Sequence, residues 1–173
     1  ASPPLRARSA SDDRLPVELT SFVGRESELE QVADALGRSR LVTLTGVGGV
    51  GKTRLARRAA ALVADEHRDR AYWVDVSALD DPAVVPQAVA AALGLRDDPS
   101  REPIAAVVDW LRDRDCLLVL DSCEQVAEAC GRLVHQILAV CPAVRVLATS
   151  REPLRLYGES LCVVAPLALP SAG

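Results

Sequence analysis

The stretch G-V-G-G-V-G-K-T, residues 46–53, decides how the rest of the chain is interpreted. It matches the pattern G-x-x-x-x-G-K-[ST] at every fixed position. An apolar run at residues 41–45 predicts a strand before it, and a run at residues 54–63 predicts a helix after it. Because glycines let the backbone turn tightly, several N–H groups of such a loop can point at phosphate oxygens near a helix start. The stretch and its flanks therefore predict a phosphate-binding loop.

The residues of this loop are candidate ligands of a nucleotide. Lys52 would bring a full positive charge to the outer phosphates, and the hydroxyl of Thr53 suits Mg²⁺. The alternative is a glycine-rich turn that contains a lysine by chance, and the flanking strand and helix make it the weaker interpretation. The other candidate nucleotide-binding residues are Gly46, Val47, Gly48, Gly49, Val50, Gly51 and Arg54.

The composition argues against several classes of partner. The chain has 173 residues, enough for one domain with a sizeable core, and 49% of them are apolar. Aromatic residues make up 3%, which argues against binding single-stranded nucleic acid by stacking. A net charge of −4 gives no general attraction to DNA or anionic membranes, and no apolar run is long enough to span a bilayer. We therefore expect a cytoplasmic protein that does not contact a membrane.

The cysteines predict no metal site. There are five, an odd number, and no two of them form a C-x-x-C pair, so neither zinc binding nor dithiol redox chemistry is supported. We expect them to be small buried side chains in a reducing compartment. They are Cys116, Cys123, Cys130, Cys141 and Cys162.

Predicted strands and helices alternate along the chain. Residues 1–15 are rich in Ser, Pro, Arg and Asp and predict a disordered linker, and residues 16–173 predict one nucleotide-binding domain. Periodicity predicts, among other helices, one that begins near Glu26 and ends at Gly37. The strands are predicted at residues 41–45, 71–76, 116–120, 144–149 and 161–164, and a helix at residues 83–93. This alternation predicts an α/β fold whose parallel sheet carries helices on both faces.

Polar residues stand where these strands end, which is the edge where ligands of parallel sheets bind. They include Asp75, Asp121 and the segment 149–151. The charge of Asp121 after a buried strand suits Mg²⁺ on a bound nucleotide, with a helix N-cap as the alternative role. Ser122 stands where many ATPases carry a second acid that orients water. Glu124 could serve instead, although a solvated charge is its more ordinary role, so we expect slow turnover.

Arg151 directly follows the fourth predicted strand. If that strand lies between the loop strand and the Asp121 strand, Arg151 faces the γ-phosphate and can register its presence. A surface arginine is an equally good interpretation of the residue alone. The sequence contains no N-K-x-D segment of the kind that guanine-specific proteins carry, which favours ATP over GTP.

Four segments together resemble the signal-transduction ATPases with numerous domains (STAND): residues 22–26, 46–56, 117–124 and 148–154. Within that group the chain is most similar to the NB-ARC-type module of actinobacterial SARP/AfsR-type and large LuxR-type regulators, over about residues 15–170. The resemblance implies a three-layer P-loop NTPase of the ASCE type with sheet order 2-3-4-1-5. It also implies that Val23 and Arg25 contact the adenine and that Arg151 senses the γ-phosphate.

The resemblance further implies a molecular switch, with an ADP-bound off state and an ATP-bound, self-associating on state. Lys52, Asp121, Arg151 and Glu124 are then the candidate catalytic residues of a weak ATPase, and Thr53 and Asp121 the metal ligands. Relatives often have Asn and His where this chain has Ser122 and Gln125. We expect the helical and winged-helix subdomains of such proteins, and any DNA-binding domain, to lie outside this chain.

Two other functions remain open from the sequence. A small-molecule kinase would use the same loop to transfer a phosphate, with Arg151 and Arg155 as a basic lid, but it would need a catalytic base that is not evident beside Asp121. A scaffold that no longer needs nucleotide would not require Lys52, Thr53 and Asp121 to be intact.

Overall fold

The computed structural model describes residues 25–166 of the chain. The expected linker at residues 1–15 and the predicted adenine contact Val23 lie outside the described residues. Among the described residues, no helix is long and apolar enough to cross a membrane.

Five strands form one parallel sheet in the order β2-β3-β4-β1-β5. This confirms the order implied by the resemblance, with β4 between the loop strand β1 and the Asp121 strand β3. Because β1, β3 and β4 have neighbours on both sides and helices on both faces, nearly all of their residues are buried. The strands are β1 (Leu41–Thr45), β2 (Ala71–Asp75), β3 (Leu117–Asp121), β4 (Arg145–Ser150) and β5 (Glu159–Val163).

The helices divide between the two faces of the sheet. Two of them pack on one face, where their apolar side chains meet Val42 and Leu44 of β1. The other three cover the opposite face, against residues such as Leu118 and Leu120 of β3. The first pair is α1 (Glu26–Arg38) and α2 (Lys52–Val63), and the second group is α3 (Val85–Ala92), α4 (Pro103–Leu111) and α5 (Ala127–Val140). Short 3-10 turns lie at Ala64–Glu66, Pro82–Val84 and Glu124–Val126. The fold is the expected three-layer α/β architecture.

Some predicted boundaries are wrong, and tertiary contacts explain two of them. The first helix does not end at Gly37 but continues to Arg38, because the N–H of Ser39 bonds to the carbonyl of Ala35 and Arg145 donates to the carbonyl of Leu36. The fifth strand begins at Glu159, before the apolar run, because the carboxylate of Glu159 accepts the hydroxyl of Thr43 on β1 over 2.6 Å.

The predicted helix at residues 83–93 is also shorter than expected. A 3-10 turn occupies Pro82–Val84, and the α-helix begins at Val85, which leaves Pro86 in its first turn, where a missing N–H costs nothing. The cysteines are all free thiols, four of them buried as expected, while Cys162 on the edge strand β5 is only half-buried.

Candidate functional site

The loop between β1 and α2 needs its glycines for two different reasons. A Cβ on Gly46 would lie 2.6 Å from the carbonyl oxygen of Val164, which follows β5, so no side chain fits there. Gly49 and Gly51 have φ angles of 82° and 95°, a left-handed conformation that other residues rarely adopt. Gly51 is also the N-cap of α2, which begins at Lys52. The loop therefore turns tightly into a helix N-terminus, the geometry that anions bind.

Lys52 is buried at the start of α2, and its ammonium bonds back to the loop. Nζ donates to the carbonyl oxygens of Gly46 and Val47 over 2.5 and 3.2 Å. Burial lowers the pKa of Lys52, Arg151 acts in the same direction, and the carboxylates of Glu124 and Asp121 oppose them. The ammonium thus lies against the loop backbone, where phosphate oxygens can replace carbonyl oxygens as its acceptors.

Asp121 ends β3 as a buried carboxylate held by two threonines. The hydroxyl of Thr53 lies 2.9 and 3.2 Å from its two oxygens, and the hydroxyl of Thr149 on β4 donates to Oδ1 over 2.6 Å. Burial raises the pKa of Asp121, and the hydrogen bonds from Thr149 and Thr53 lower it. The sequence assigns no role of its own to Thr149, since only the pairing of β3 with β4 brings it to Asp121.

The oxygen atoms of Thr53 and Asp121 fit Mg²⁺, which is usually bound by one or two carboxylate or hydroxyl oxygens together with phosphate oxygens and water. Within residues 25–166 no group of three or more His, Cys, Asp or Glu side chains could hold a metal ion by itself. In phosphate-binding loops, phosphate oxygens of the nucleotide are among the Mg²⁺ ligands.

Arg151 follows β4 and extends over the loop. A Cβ on Gly48 would lie 3.0 Å from Nη2 of Arg151, so the absence of a side chain at Gly48 leaves room for the guanidinium. Arg151, Glu124, Ser122 and Arg54 line the same polar cleft as the loop, with a volume of about 410 Å³. The fold thus brings the predicted catalytic residues Lys52, Glu124 and Arg151 into one cleft at the carboxyl ends of the strands. Asp121 lies behind the cleft and contacts its lining through Thr53.

Arg25 is 5% exposed, and its guanidinium contacts protein on three sides. It donates to the carbonyl oxygen of Val50 in the loop over 2.5 Å, to that of Ala165 after β5 over 2.8 Å, and to the carboxylate of Glu28 over 2.5 Å. The C=O and N–H of a trans peptide point in opposite directions, so the bond to Val50 directs the N–H of Gly51 away from Arg25. The side chain therefore braces the loop, and a contact with adenine stays a prediction.

Two other polar residues noted in the sequence lie apart from the cleft. Asp75 ends β2 beside Asp121 but is exposed, and it accepts the N–H of Ser77 in its own turn over 2.9 Å. The N–H of Arg155 bonds to Glu159 at the amino end of β5, whereas the loop lies at the carboxyl end of β1. The described structure thus does not bring Arg155 to the loop, as a kinase lid would require.

Comparisons with known proteins agree with this geometry. The model of the AAA ATPase domain family matches residues 21–154. Rv0890c of Mycobacterium tuberculosis, provisionally named as an HTH-type transcriptional regulator, is 44% identical over 72% of this chain and 14% of its own length. The regulatory protein AfsR of Streptomyces griseus is 27% identical over 80% of this chain and 15% of its own length. The chain thus spans less than a fifth of the length of either relative.

Solved structures share the fold. A STAND protein with a tetratricopeptide repeat sensor from Pyrococcus horikoshii superposes with a TM-score of 0.57 at 18% identity, over 91% of this chain and 24% of that one. The ORC2 protein of Aeropyrum pernix, solved with ADPNP and ADP, gives a TM-score of 0.54 at 14% identity, over 89% of this chain and 51% of that one. The chain belongs to the AAA ATPase domain family, and it shares its fold with the STAND protein.

Proposed function

We propose that this domain binds ATP or ADP with Mg²⁺, hydrolyses ATP slowly, and acts as the nucleotide-dependent switch of a signalling or transcriptional regulator. The observation that carries the proposal is the contact between the hydroxyl of Thr53 and the carboxylate of Asp121. This contact joins the loop to the end of β3 in the cleft that Arg151 and Glu124 also line.

Each residue of the cleft has a definite task in this proposal. The loop amides and the N-terminus of α2 bind the phosphates, and Lys52 exchanges its carbonyl acceptors for phosphate oxygens. Thr53 and Asp121 hold Mg²⁺, which when bound neutralises charge on the outer phosphates. Val23 and Arg25 are the proposed contacts of the adenine, and the guanidinium of Arg25 also braces the loop at Val50. The absence of an N-K-x-D segment favours adenine over guanine.

Discrimination between ATP and ADP is assigned to Arg151. Its guanidinium lies over Gly48, where a third phosphate would add negative charge that a second phosphate does not. A switch requires that the preference for the on state over the off state differs between ATP and ADP. A cation that contacts the γ-phosphate in only one of the two states supplies such a difference. We propose that the ATP-bound state self-associates in the full-length protein, and that DNA is contacted by other domains.

Slow hydrolysis follows from the residues around Asp121. Ser122 lies where a second acid could orient water, and a hydroxyl is a much weaker base than a carboxylate. Glu124 lines the cleft from the 3-10 turn that follows, which makes it the candidate for orienting water. A slow reaction suits a regulator, because the lifetime of the ATP-bound state then sets the duration of the signal.

Lys52 is the only lysine of the sequence, which allows a direct test. An amine-reactive reagent can modify only Lys52 and the N-terminal amine, and the lowered pKa of Lys52 increases its reactive neutral fraction. We expect Mg-ATP to protect Lys52 and not the N-terminus, as measured by mass spectrometry. The N-terminal amine is the internal control for the reagent.

Calorimetry complements the labelling experiment. Lys52→Ala should weaken ATP binding by at least a hundredfold, since a charge-assisted contact with phosphate is lost, while the melting temperature changes little. The control is Arg132→Ala, whose exposed side chain pairs with Glu128 on the surface of α5. Unprotected Lys52 together with an unchanged affinity of Lys52→Ala would refute nucleotide binding at this loop.

A further inference from the structure

One threonine joins the carboxyl ends of β3 and β4. Oγ1 of Thr149 donates to Oδ1 of Asp121 over 2.6 Å and accepts the backbone N–H of Ser122 over 2.7 Å. The backbone carbonyl of Thr149 accepts the N–H of Cys123 over 2.9 Å. Thr149 therefore holds Asp121, the last residue of β3, and the two residues that follow it, and its hydroxyl uses both its donor and an acceptor site.

These bonds stabilise an unusual backbone conformation beside Asp121. Ser122 has a φ of 64°, in the left-handed region that residues other than glycine, asparagine and aspartate seldom occupy. Such a conformation persists only where surrounding contacts determine it, and the bonds of Thr149 to the N–H groups of Ser122 and Cys123 are those contacts. Thr149 thereby determines the direction in which β3 ends and the direction in which the Asp121 carboxylate points.

Thr149 also connects Asp121 to the candidate γ-phosphate sensor. Arg151 follows two residues later, and its guanidinium lies over Gly48 of the loop. Arg151 is therefore connected to Asp121 by the backbone from Arg151 to Thr149 and by the 2.6 Å hydrogen bond from the Thr149 hydroxyl. The other hydroxyl on Asp121 belongs to Thr53 of α2, so the carboxylate stands between the loop and β4.

We propose that Thr149 is a positioning residue of the phosphate site, which orients Asp121 toward Mg²⁺ and couples metal binding at Asp121 to γ-phosphate binding at Arg151. The inference rests on the proposed binding of Mg-nucleotide. It adds that Mg²⁺ strengthens the binding of ATP more than that of ADP, and that the hydroxyl of Thr149 is required for the difference.

The test compares three variants with the wild-type chain. Thr149→Val removes the hydroxyl at nearly constant volume, and Thr149→Ser keeps it. Thr43→Val is the matched control, because the buried hydroxyl of Thr43 also donates to a carboxylate, that of Glu159, over 2.6 Å but outside the cleft. Calorimetry measures the affinity of each chain for ATP and ADP with Mg²⁺ and with a chelator, which gives the Mg²⁺ enhancement for each nucleotide.

We expect Thr149→Val to reduce the Mg²⁺ enhancement of ATP binding about tenfold, which is the effect of losing one hydrogen bond to a charged group. The remaining enhancement of ATP binding should then be similar to the Mg²⁺ enhancement of ADP binding. Thr149→Ser should restore most of the enhancement. Thr43→Val should lower the melting temperature without changing the enhancement. If Thr149→Val does not fold, the Mg²⁺ enhancement is measured on Thr149→Cys instead, and the same reduction is expected because a thiol donates only weakly.

The outcomes distinguish this inference from the proposed function. A wild-type chain that binds nucleotide without any Mg²⁺ enhancement overturns both. A wild-type enhancement that Thr149→Val or Thr149→Cys retains in full overturns only the role of Thr149, which would then be a structural hydrogen bond.

Discussion

Replacing Arg25 by methionine tests whether this buried guanidinium braces the loop. Methionine fills similar space without charge, so the change removes the hydrogen bonds to Val50, Ala165 and Glu28 while leaving little cavity. The three acceptors lose unequal amounts of hydrogen-bond energy. Ala165 is exposed and the side chain of Glu28 is 31% exposed, so water can satisfy both, whereas Val50 is half-buried.

The magnitude follows from this difference. A hydrogen bond to a charged donor contributes about 1.5–3 kcal/mol, and an acceptor that water can reach recovers much of that loss. We therefore expect Arg25→Met to lower the free energy of unfolding by about 2–3 kcal/mol, mostly through Val50. For a chain of this size that corresponds to a fall in melting temperature of roughly 5–10 °C. Arg25→Lys should recover part of the loss, because an ammonium keeps the charge but lacks the planar fork that reaches several acceptors.

Urea denaturation followed by circular dichroism measures the effect. Arg132→Met is the matched control, since the side chain of Arg132 is 61% exposed and its pair with Glu128 should contribute less than about 0.5 kcal/mol. A loss below about 1 kcal/mol for Arg25→Met, equal to that of the control, would refute the bracing role. If Arg25→Met lost the expected stability but bound ADP with unchanged affinity, the brace would not act on the phosphate-binding loop.

Two further predictions concern stability. Gly46→Ala should lower the free energy of unfolding by about 1–3 kcal/mol, because the new Cβ would meet the carbonyl of Val164, and the bond from the N–H of Val164 to Thr45 holds that residue in place. The control Gly37→Ala has open space in a helix and should stabilise the chain by about 0.5–1 kcal/mol. Thermal denaturation that ranked the two variants in the opposite order would contradict this. A hydrogen bond from His67 over 2.8 Å lowers the pKa of Asp115 in the folded chain, so its stabilising effect is complete above the unfolded pKa near 4 and is lost as pH falls through the folded pKa. The stability difference between wild type and Asp115→Asn should therefore be larger at pH 7 than at pH 3 in urea titrations, and a difference independent of pH would disprove it.

The elements and residues that sequence reasoning identified are those with strong local signals. In the loop at residues 46–53, the spacing of the glycines, the lysine and the threonine is what phosphate binding requires, so the pattern is visible in the sequence. Asp121 is conspicuous as a charged residue directly after an apolar strand. The order of the strands came from the resemblance, since nothing in the apolar runs themselves places β4 beside β3. The errors at Gly37 and at the start of β5 arose because Arg145 and Glu159 determine those boundaries from distant parts of the chain.

Local sequence therefore decided that this chain carries the pattern of a phosphate-binding loop in a parallel α/β fold, because hydrophobic periodicity and glycine conformation act over a few residues. The tertiary structure alone decided what surrounds that loop. Arg25 and Val50 are 25 residues apart, and Thr149 and Asp121 are 28 residues apart, so no local pattern records their contacts. Strand pairing and burial bring these groups together, and it is burial that makes each of their hydrogen bonds matter to the loop and to Asp121.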